Sequence, residues 1–355
     1  MIQDYSQIWL ELQQAGVVTG KPPEGGTRES PWYVKTLLAF SGWLAALFFL
    51  GFIGMGLQFI FDNDFAAFTT GTVMISGAFF VLRRSGNEFI EHLALALSLA
   101  GQALVVYAIF NFVRSSDNTA FLLVALLQVV LALVMHNYIH CVFSAFLAAF
   151  SFSMFMLGVG WAFGVGAVLL LLVSWCFLSE FSYPQQMKKI RAIGYGLAIA
   201  LIIFKGTTVF GSSPLRYVFH SSGSQLFHPW VGELLTLAVS LYVVVRILVR
   251  NGQSLLGRLA LVVLAGTFIL GLVSLEVQGI TVGMVIMIVG FAGTNRLLLG
   301  AGIVSLLFYI SSYYYLMEST LLEKSQTLLV VGIVLLLARW LMFSILGAAK
   351  GAGDE

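Results

Sequence analysis

Long apolar runs alternate with short polar segments along almost the whole chain. A membrane-spanning helix needs about 20 mainly apolar residues to cross a hydrocarbon core of about 30 Å. The pattern therefore predicts an all-α polytopic membrane protein with about 12 transmembrane helices. The predicted spans are residues 36–61, 65–82, 93–113, 120–135, 141–157, 161–179, 192–211, 230–249, 259–275, 280–294, 297–315 and 326–346.

Polar segments flank the predicted spans at both ends. Ile8, Trp9 and Leu12 recur at near-helical spacing before Gly16, which predicts a short amphipathic helix lying on the bilayer surface. The first residues lack the layout of a cleaved signal peptide, so we expect the first apolar run to be retained. The predicted parts are a cytoplasmic N-terminal segment (1–35), a first six-helix half (36–191), a second six-helix half (192–346) and a cytoplasmic tail (347–355).

The basic residues fall mainly in alternate loops of this arrangement. Cytoplasmic loops of membrane proteins carry the excess of Lys and Arg. With the N-terminus inside, twelve basic residues lie in inner segments and three in outer loops, while Lys205, Arg246 and Arg339 fall within spans. The charge pattern thus predicts a protein of the inner (cytoplasmic) membrane type with both termini in the cytoplasm. The inner residues are Lys21, Arg28, Lys35, Arg83, Arg84, Lys188, Lys189, Arg191, Arg250, Arg258, Arg296 and Lys350, and the outer ones are Arg114, Arg216 and Lys324.

Two parts of the chain resemble each other at a constant offset. Arg84-Ser-Gly-Asn87 precedes a Leu-Ala-Leu sequence, and Arg250-Asn-Gly-Gln253 precedes another, 166 residues later. Trp175 and Trp340 lie near the same offset, in spans that also contain the Val-Gly pairs 165–166 and 331–332. This predicts an internal repeat of six helices, with the two halves in the same orientation and a site between them.

The composition excludes a soluble globule of this size. Hydrophobic residues make up 59% of the 355 residues, charged residues 10%, and the mean hydropathy is +0.97. The sequence contains no nucleotide-binding loop and no hydrolase or protease motif, so we expect neither an enzyme nor a cofactor. Its basic residues are scattered, which gives no support to nucleic-acid binding.

Charged residues within apolar runs are the candidate functional residues. Lys205 lies about two-thirds along its predicted span and could pair with Glu233 or Glu276 at the outer side. A pair at that depth would mark a substrate or proton path. The alternative is that the lysine stem extends to the outer surface while both acids face water. Arg339 lies deeper, and is either a structural hydrogen-bonded residue or part of the same intramembrane polar site.

Histidine and glutamate pairs were also considered as metal ligands. His136 and His140 share one helical face, as do Glu88 and His92, with Glu91 nearby. No third or fourth ligand follows at a zinc-binding spacing, and both groups fall at predicted cytoplasmic ends. We therefore expect no metal.

Several aromatic and leucine-rich motifs resemble a known family. They are Pro31-Trp-Tyr-Val34, Ser41-Gly-Trp-Leu44, Tyr313-Tyr-Tyr-Leu316 and Thr320-Leu-Leu-Glu-Lys-Ser325. These are similar to the uncharacterised bacterial membrane proteins of domain-of-unknown-function family 4401, and residues 10–18 resemble the lead of the related family 2157. The resemblance covers nearly the whole chain and implies a possible membrane-anchored protein partner. It implies no catalytic residues.

Two main functions follow from these features. The predicted six-plus-six repeat and the intramembrane charges favour a transporter-like or permease-like protein of unknown substrate. The resemblance, with the absence of a dense polar path, favours a non-transporting scaffold or accessory subunit. A lipid-modifying enzyme using Glu233 and Glu276 is a more distant third. The bilayer is the one partner that all three share.

Overall fold

The computed structural model describes residues 11–16, 19–20, 59–84, 88–114, 116–209, 229–275, 279–316 and 320–326, with scattered helical positions within 37–55 and 329–340. These residues form helices and turns, without a strand among them, so the all-α fold is confirmed for this part of the chain. A short helix, Phe59–Asp62, precedes the long ones. The long helices are α1 (Asp64–Arg84), α2 (Glu88–Phe112), α3 (Asp117–Val134), α4 (Tyr138–Val159), α5 (Ala162–Ser179), α6 (Met187–Val209), α7 (Pro229–Arg250), α8 (Arg258–Val273), α9 (Ile280–Ala292) and α10 (Arg296–Leu316).

Polar caps and glycines divide the apolar sequence into these helices. The Ser116 side chain accepts a hydrogen bond from the Thr119 amide at the start of α3. Asn137 accepts one from the His140 amide at the start of α4. Each cap satisfies an amide that has no partner within its helix. Gly160 ends α4 with a φ of 87°, a conformation that glycine adopts without strain.

Seven of the described helices are long and apolar enough to cross a membrane, which indicates a membrane-embedded protein. They are α1 to α7, and α8, α9 and the apolar part of α10 are shorter. Helix α9 has 13 residues, or about 20 Å at 1.5 Å per residue, so it needs adjoining segments to complete a crossing. The first and twelfth predicted spans lie largely outside the described residues. The figure of twelve crossings therefore stays a prediction.

The chain divides into two compact units, Met1–Ala103 and Leu104–Glu355, with the boundary inside α2. In the first unit, α1 packs closely on α2 at Gly101, where a Cβ atom would lie 2.7 Å from the Gly71 carbonyl oxygen. Compact units are defined by packing, whereas the predicted halves at 36–191 and 192–346 are defined by sequence similarity. The six-helix halves and the repeat remain predictions.

The second unit has a large apolar core. It is formed by buried side chains of α4, α5, α6, α7, α9 and α10. Helix α5 lies within it, with Leu169, Leu170 and Val173 all at most 1% exposed. Both α6 and α7 pack against α5, and α9 packs against α10. The polar residues described below are therefore surrounded by apolar side chains.

Hydrogen bonds gather the basic helix ends of this unit on one side. Lys189 donates to the Leu133 carbonyl at the end of α3. Arg250 donates to the Leu178 carbonyl at 3.1 Å, and Tyr195 donates to the Asn295 side chain at 2.7 Å. We call this side the basic end. The other side, where α6 and α10 finish and α5 and α7 begin, is called the distal end.

Candidate functional site

A buried ion pair joins α6 and α7 near the distal end. The Lys205 Nζ atom lies 2.6 Å from Glu233 Oε1, and the two side chains are 6% and 3% exposed. Lys205 is four residues before the end of α6, and Glu233 is four residues after the start of α7. At 1.5 Å per residue, each lies about 6 Å inside its helix end. The lysine therefore turns inward to an acid and does not extend past the end of the helix.

Glycine on α5 makes room for this lysine. A Cβ atom at Gly166 would lie 2.5 Å from Lys205 Cε and 3.4 Å from Nζ. Both α6 and α7 pack on α5. The ion pair that joins them therefore lies against the surface of α5 at Gly166. A residue with a side chain at this position would occupy the space of the lysine stem.

A third helix completes the coordination of the carboxylate. Ser274, at the end of α8, donates its hydroxyl to Glu233 Oε2 at 3.1 Å. Both carboxylate oxygens of Glu233 are thus hydrogen-bonded, one to a cation and one to a hydroxyl. Charge-assisted hydrogen bonds of this kind compensate for removing a carboxylate from water. The polar site is the set Lys205, Glu233 and Ser274.

Buried hydroxyls on α7 do not extend this site towards the basic end. Thr236 donates to the Gly232 carbonyl at 2.8 Å, and Ser240 donates to the Thr236 carbonyl at 2.7 Å. Both donors are used within their own helix. The apolar core continues from Val165 and Phe204, next to the polar site, as far as Phe177 and Leu298. The described residues thus surround the polar site mainly with apolar side chains.

Tyr309 fixes α10 beside this site. Its side chain is fully buried, and its hydroxyl donates to the Ile202 carbonyl, three residues before Lys205, at 3.1 Å. The ring packs on Gly279, whose φ is +93°. A Cβ atom added at Gly279 would lie 2.9 Å from the ring. Sequence reasoning missed Tyr309 because a tyrosine in an aromatic-rich apolar helix gives no distinguishing signal.

A second ion pair lies at the basic end and was also missed. Glu180 receives two hydrogen bonds from Arg191, each of 3.1 Å. The glutamate side chain is 1% exposed and the arginine 34%. In the sequence, Arg191 served only as a marker of topology, because the acid and the base lie in a short polar segment where solvated charges are ordinary.

The remaining predicted residues are either outside the described part of the chain or away from this site. Glu276 and Arg339 lie outside the described residues. His140 is buried and its Nδ1 atom lies 3.1 Å from the Ser144 hydroxyl, within α4. Over the described part of the chain, no group of three or more His, Cys, Asp or Glu side chains could hold a metal ion.

The polar site brings a cation, a carboxylate and a hydroxyl from three helices into contact. A lysine and a glutamate in contact can share a proton, or separate if each finds another partner. Neither a bound water nor an activated nucleophile is needed for either event. The arrangement is a buried charge pair between two helices, completed by a hydroxyl from a third.

Comparison with known proteins identifies a family. The profile described as "Domain of unknown function (DUF4401)" matches residues 31–343. No curated protein and no solved structure matches the chain.

Proposed function

Because this chain belongs to the DUF4401 family, whose description assigns no activity, we propose a function from its own polar site: a transporter-like protein of the inner membrane. In this proposal Lys205 and Glu233 form the intramembrane site through which a substrate or coupling ion passes. Glu276 and Arg339 would complete it from the adjoining segments. Twelve crossings in two repeated halves, with both termini in the cytoplasm, would provide the surrounding bundle.

The observation that carries the proposal is the burial of both charges in apolar helices. Ionisable side chains within membrane spans are rare, and they commonly mark substrate or proton pathways. A purely structural tie between α6 and α7 could be made by apolar side chains, which are often at least as stabilising as a buried ion pair. The presence of Lys205 and Glu233 at this depth is thus better explained by a change in their pairing during function.

The position of the site suggests how the change would occur. The pair lies about one turn inside the distal end, and it links helices that both rest on α5. A ligand that separates Lys205 from Glu233 would free α7 and α8 to move relative to α6. Ser274 would move with Glu233, since it is bonded to the same carboxylate.

Electrical recording on reconstituted protein tests the proposal. Proteoliposomes on a solid-supported membrane are exposed to jumps in pH, Na⁺, K⁺ and a panel of amino acids. We expect a transient current for at least one of these in the natural protein. We expect its loss in the double variant Lys205→Met/Glu233→Met, which removes both charges together and so leaves no unpaired buried charge.

The matched control is Arg258→Gln, which removes an exposed charge at the start of α8. It should keep the current. A double variant that folds normally and conducts like the natural protein would show that the pair is structural. Thermal unfolding of each variant in detergent separates loss of function from loss of folded protein.

A second function, that of an accessory subunit, is favoured by one observation: the apolar core that lies between the polar site and the basic end. A protein that only stabilises a membrane-anchored partner needs no polar path. This alternative predicts no current under any condition tested. It also predicts a stoichiometric protein partner when the natural complex is purified from native membranes in mild detergent.

A further inference from the structure

Arg246 is a charged residue within α7 that the polar site does not use. It is exposed, and it forms neither a hydrogen bond nor an ion pair with any residue that the structure describes. It lies four residues before the helix end at Arg250, so it is about 6 Å inside that end. An unpaired guanidinium at this depth on the outer surface of an apolar helix faces the boundary between lipid headgroups and acyl chains.

Helices α5 and α7 run parallel, which fixes what lies beside Arg246. Near the distal end, Gly232 of α7 contacts the Phe163 backbone of α5. Near the basic end, Arg250 of α7 donates to the Leu178 carbonyl of α5 and lies 5.7 Å from the Phe181 ring centroid. Arg246 is one turn before Arg250, and Trp175 is three residues before Leu178. Both therefore lie at about the same level along the two neighbouring helices, each with an exposed side chain.

The surroundings are apolar and electropositive. Trp175, within α5, is 55% exposed, and Phe181, just after the end of α5, is 50% exposed. Among the acidic residues described in the unit Leu104–Glu355, only Glu180 lies at the basic end, and Arg191 binds both of its oxygens. No described carboxylate at this end of the unit therefore neutralises Arg246.

We propose that Arg246, Arg250 and Trp175 form a binding site for the headgroup of an anionic phospholipid at the basic end. The guanidinium of Arg246 would bind the phosphate through two parallel N–H donors, a geometry that arginine offers and lysine does not. The Trp175 indole N–H would donate to the phosphate or the ester carbonyl, as tryptophans at membrane interfaces do. The acyl chains would lie along the exposed apolar faces of α5 and α7. This site is independent of the proposed transport function.

Native mass spectrometry of the detergent-purified protein tests the site by titration with phosphatidylglycerol or phosphatidylcholine. We expect the first phosphatidylglycerol to bind more tightly than phosphatidylcholine, and Arg246→Gln to weaken it about fivefold, the effect of one surface charge on an anionic lipid. Arg246→Lys should restore only part of the affinity. Trp175→Phe, which removes the N–H and keeps a ring, should weaken binding without abolishing it.

The control is Arg258→Gln, which removes the same charge from the start of α8 at the same end. It should change the affinity less than twofold. Equal losses in the two variants would overturn the proposal in favour of diffuse attraction, and equal binding of the two lipids would overturn its anionic specificity. Competition by millimolar inorganic phosphate would show a site for a soluble anion and likewise overturn it. Unfolding temperatures measured alongside confirm that each variant is folded.

Discussion

At the scale of single residues, Gly166 and Lys205 depend on each other. The lysine stem occupies the volume that a methyl group on Gly166 would take, and its Nζ atom is held by Glu233. A flexible lysine could normally move away from a new methyl group. Here such a movement would pull Nζ away from Glu233. A methyl group on Gly166 would therefore also weaken the ion pair.

We predict that Gly166→Ala lowers the free energy of unfolding by about 1–3 kcal/mol, the range for inserting a methyl group into a packed site. The reason is displacement of the Lys205 stem. The measurement is the unfolding temperature in detergent, followed by tryptophan fluorescence.

Gly164→Ala is the control for this prediction. It lies on the same helix, and a Cβ atom there would meet only Trp161, at an ordinary 3.9 Å. Both changes gain the same helix propensity, so they differ only in what the methyl group contacts. Equal unfolding temperatures for the two variants would contradict the packing argument.

At the scale of elements, an ion pair closes the connection between α5 and α6. Glu180 follows α5 directly, and Arg191 lies in the first turns of α6. The two partners differ in burial, since the glutamate is 1% exposed and the arginine 34%. Removing one or the other should therefore have unequal consequences.

We predict that Arg191→Gln destabilises the protein more than Glu180→Gln. Without the arginine, a buried carboxylate loses both hydrogen bonds and its counter-charge, which we expect to lower the free energy of unfolding by roughly 2–3 kcal/mol, less than for a fully buried pair. Without the glutamate, the arginine can turn to water, and the loss should be about 1 kcal/mol. Denaturant or thermal unfolding in detergent measures both.

The double variant Arg191→Gln/Glu180→Gln checks the cause. If the unpaired carboxylate is responsible, adding Glu180→Gln to Arg191→Gln should recover part of the lost stability. Additive losses would mean that the two side chains contribute separately.

At the scale of the whole molecule, the order of the helix ends predicts which side of the protein faces the cytoplasm. In the unit Leu104–Glu355, Arg114 precedes α3 at the distal end, whereas the loop 251–257 follows α7 at the basic end. Positively charged loops are retained in the cytoplasm, so the basic end should face inward.

We predict that a membrane-impermeant maleimide added to intact cells labels Arg114→Cys and does not label Gln253→Cys. Both positions are exposed, so access through the membrane is the difference between them. The native Cys141 and Cys176 are buried and should not react. Labelling of Gln253→Cys alone in intact cells would show the opposite orientation. As a control, Gln253→Cys should be labelled once the cells are permeabilised.

The sequence allowed a large part of the fold to be predicted because apolar length is a local property. The spans predicted between residues 65 and 315 each contain a described helix, displaced by a few residues at the ends. The ends were less predictable because caps such as Asn137 extend a helix beyond its apolar run. The predicted spans 259–275 and 280–294 were already short, and α8 and α9 end within them, where Ser274 and Gly293 cap the helices.

By itself, the sequence determined the class of protein, the sorting of its basic residues and the presence of a charge at Lys205, because each depends on the solvent that a segment meets. Only the tertiary structure decided that Lys205 meets Glu233 over Gly166, that Ser274 binds the same carboxylate, and that Glu180 is buried with Arg191. These contacts join residues from different helices. Their distances follow from how side chains of α5, α6, α7 and α8 pack, and lipid-facing and helix-facing positions look alike when both are apolar.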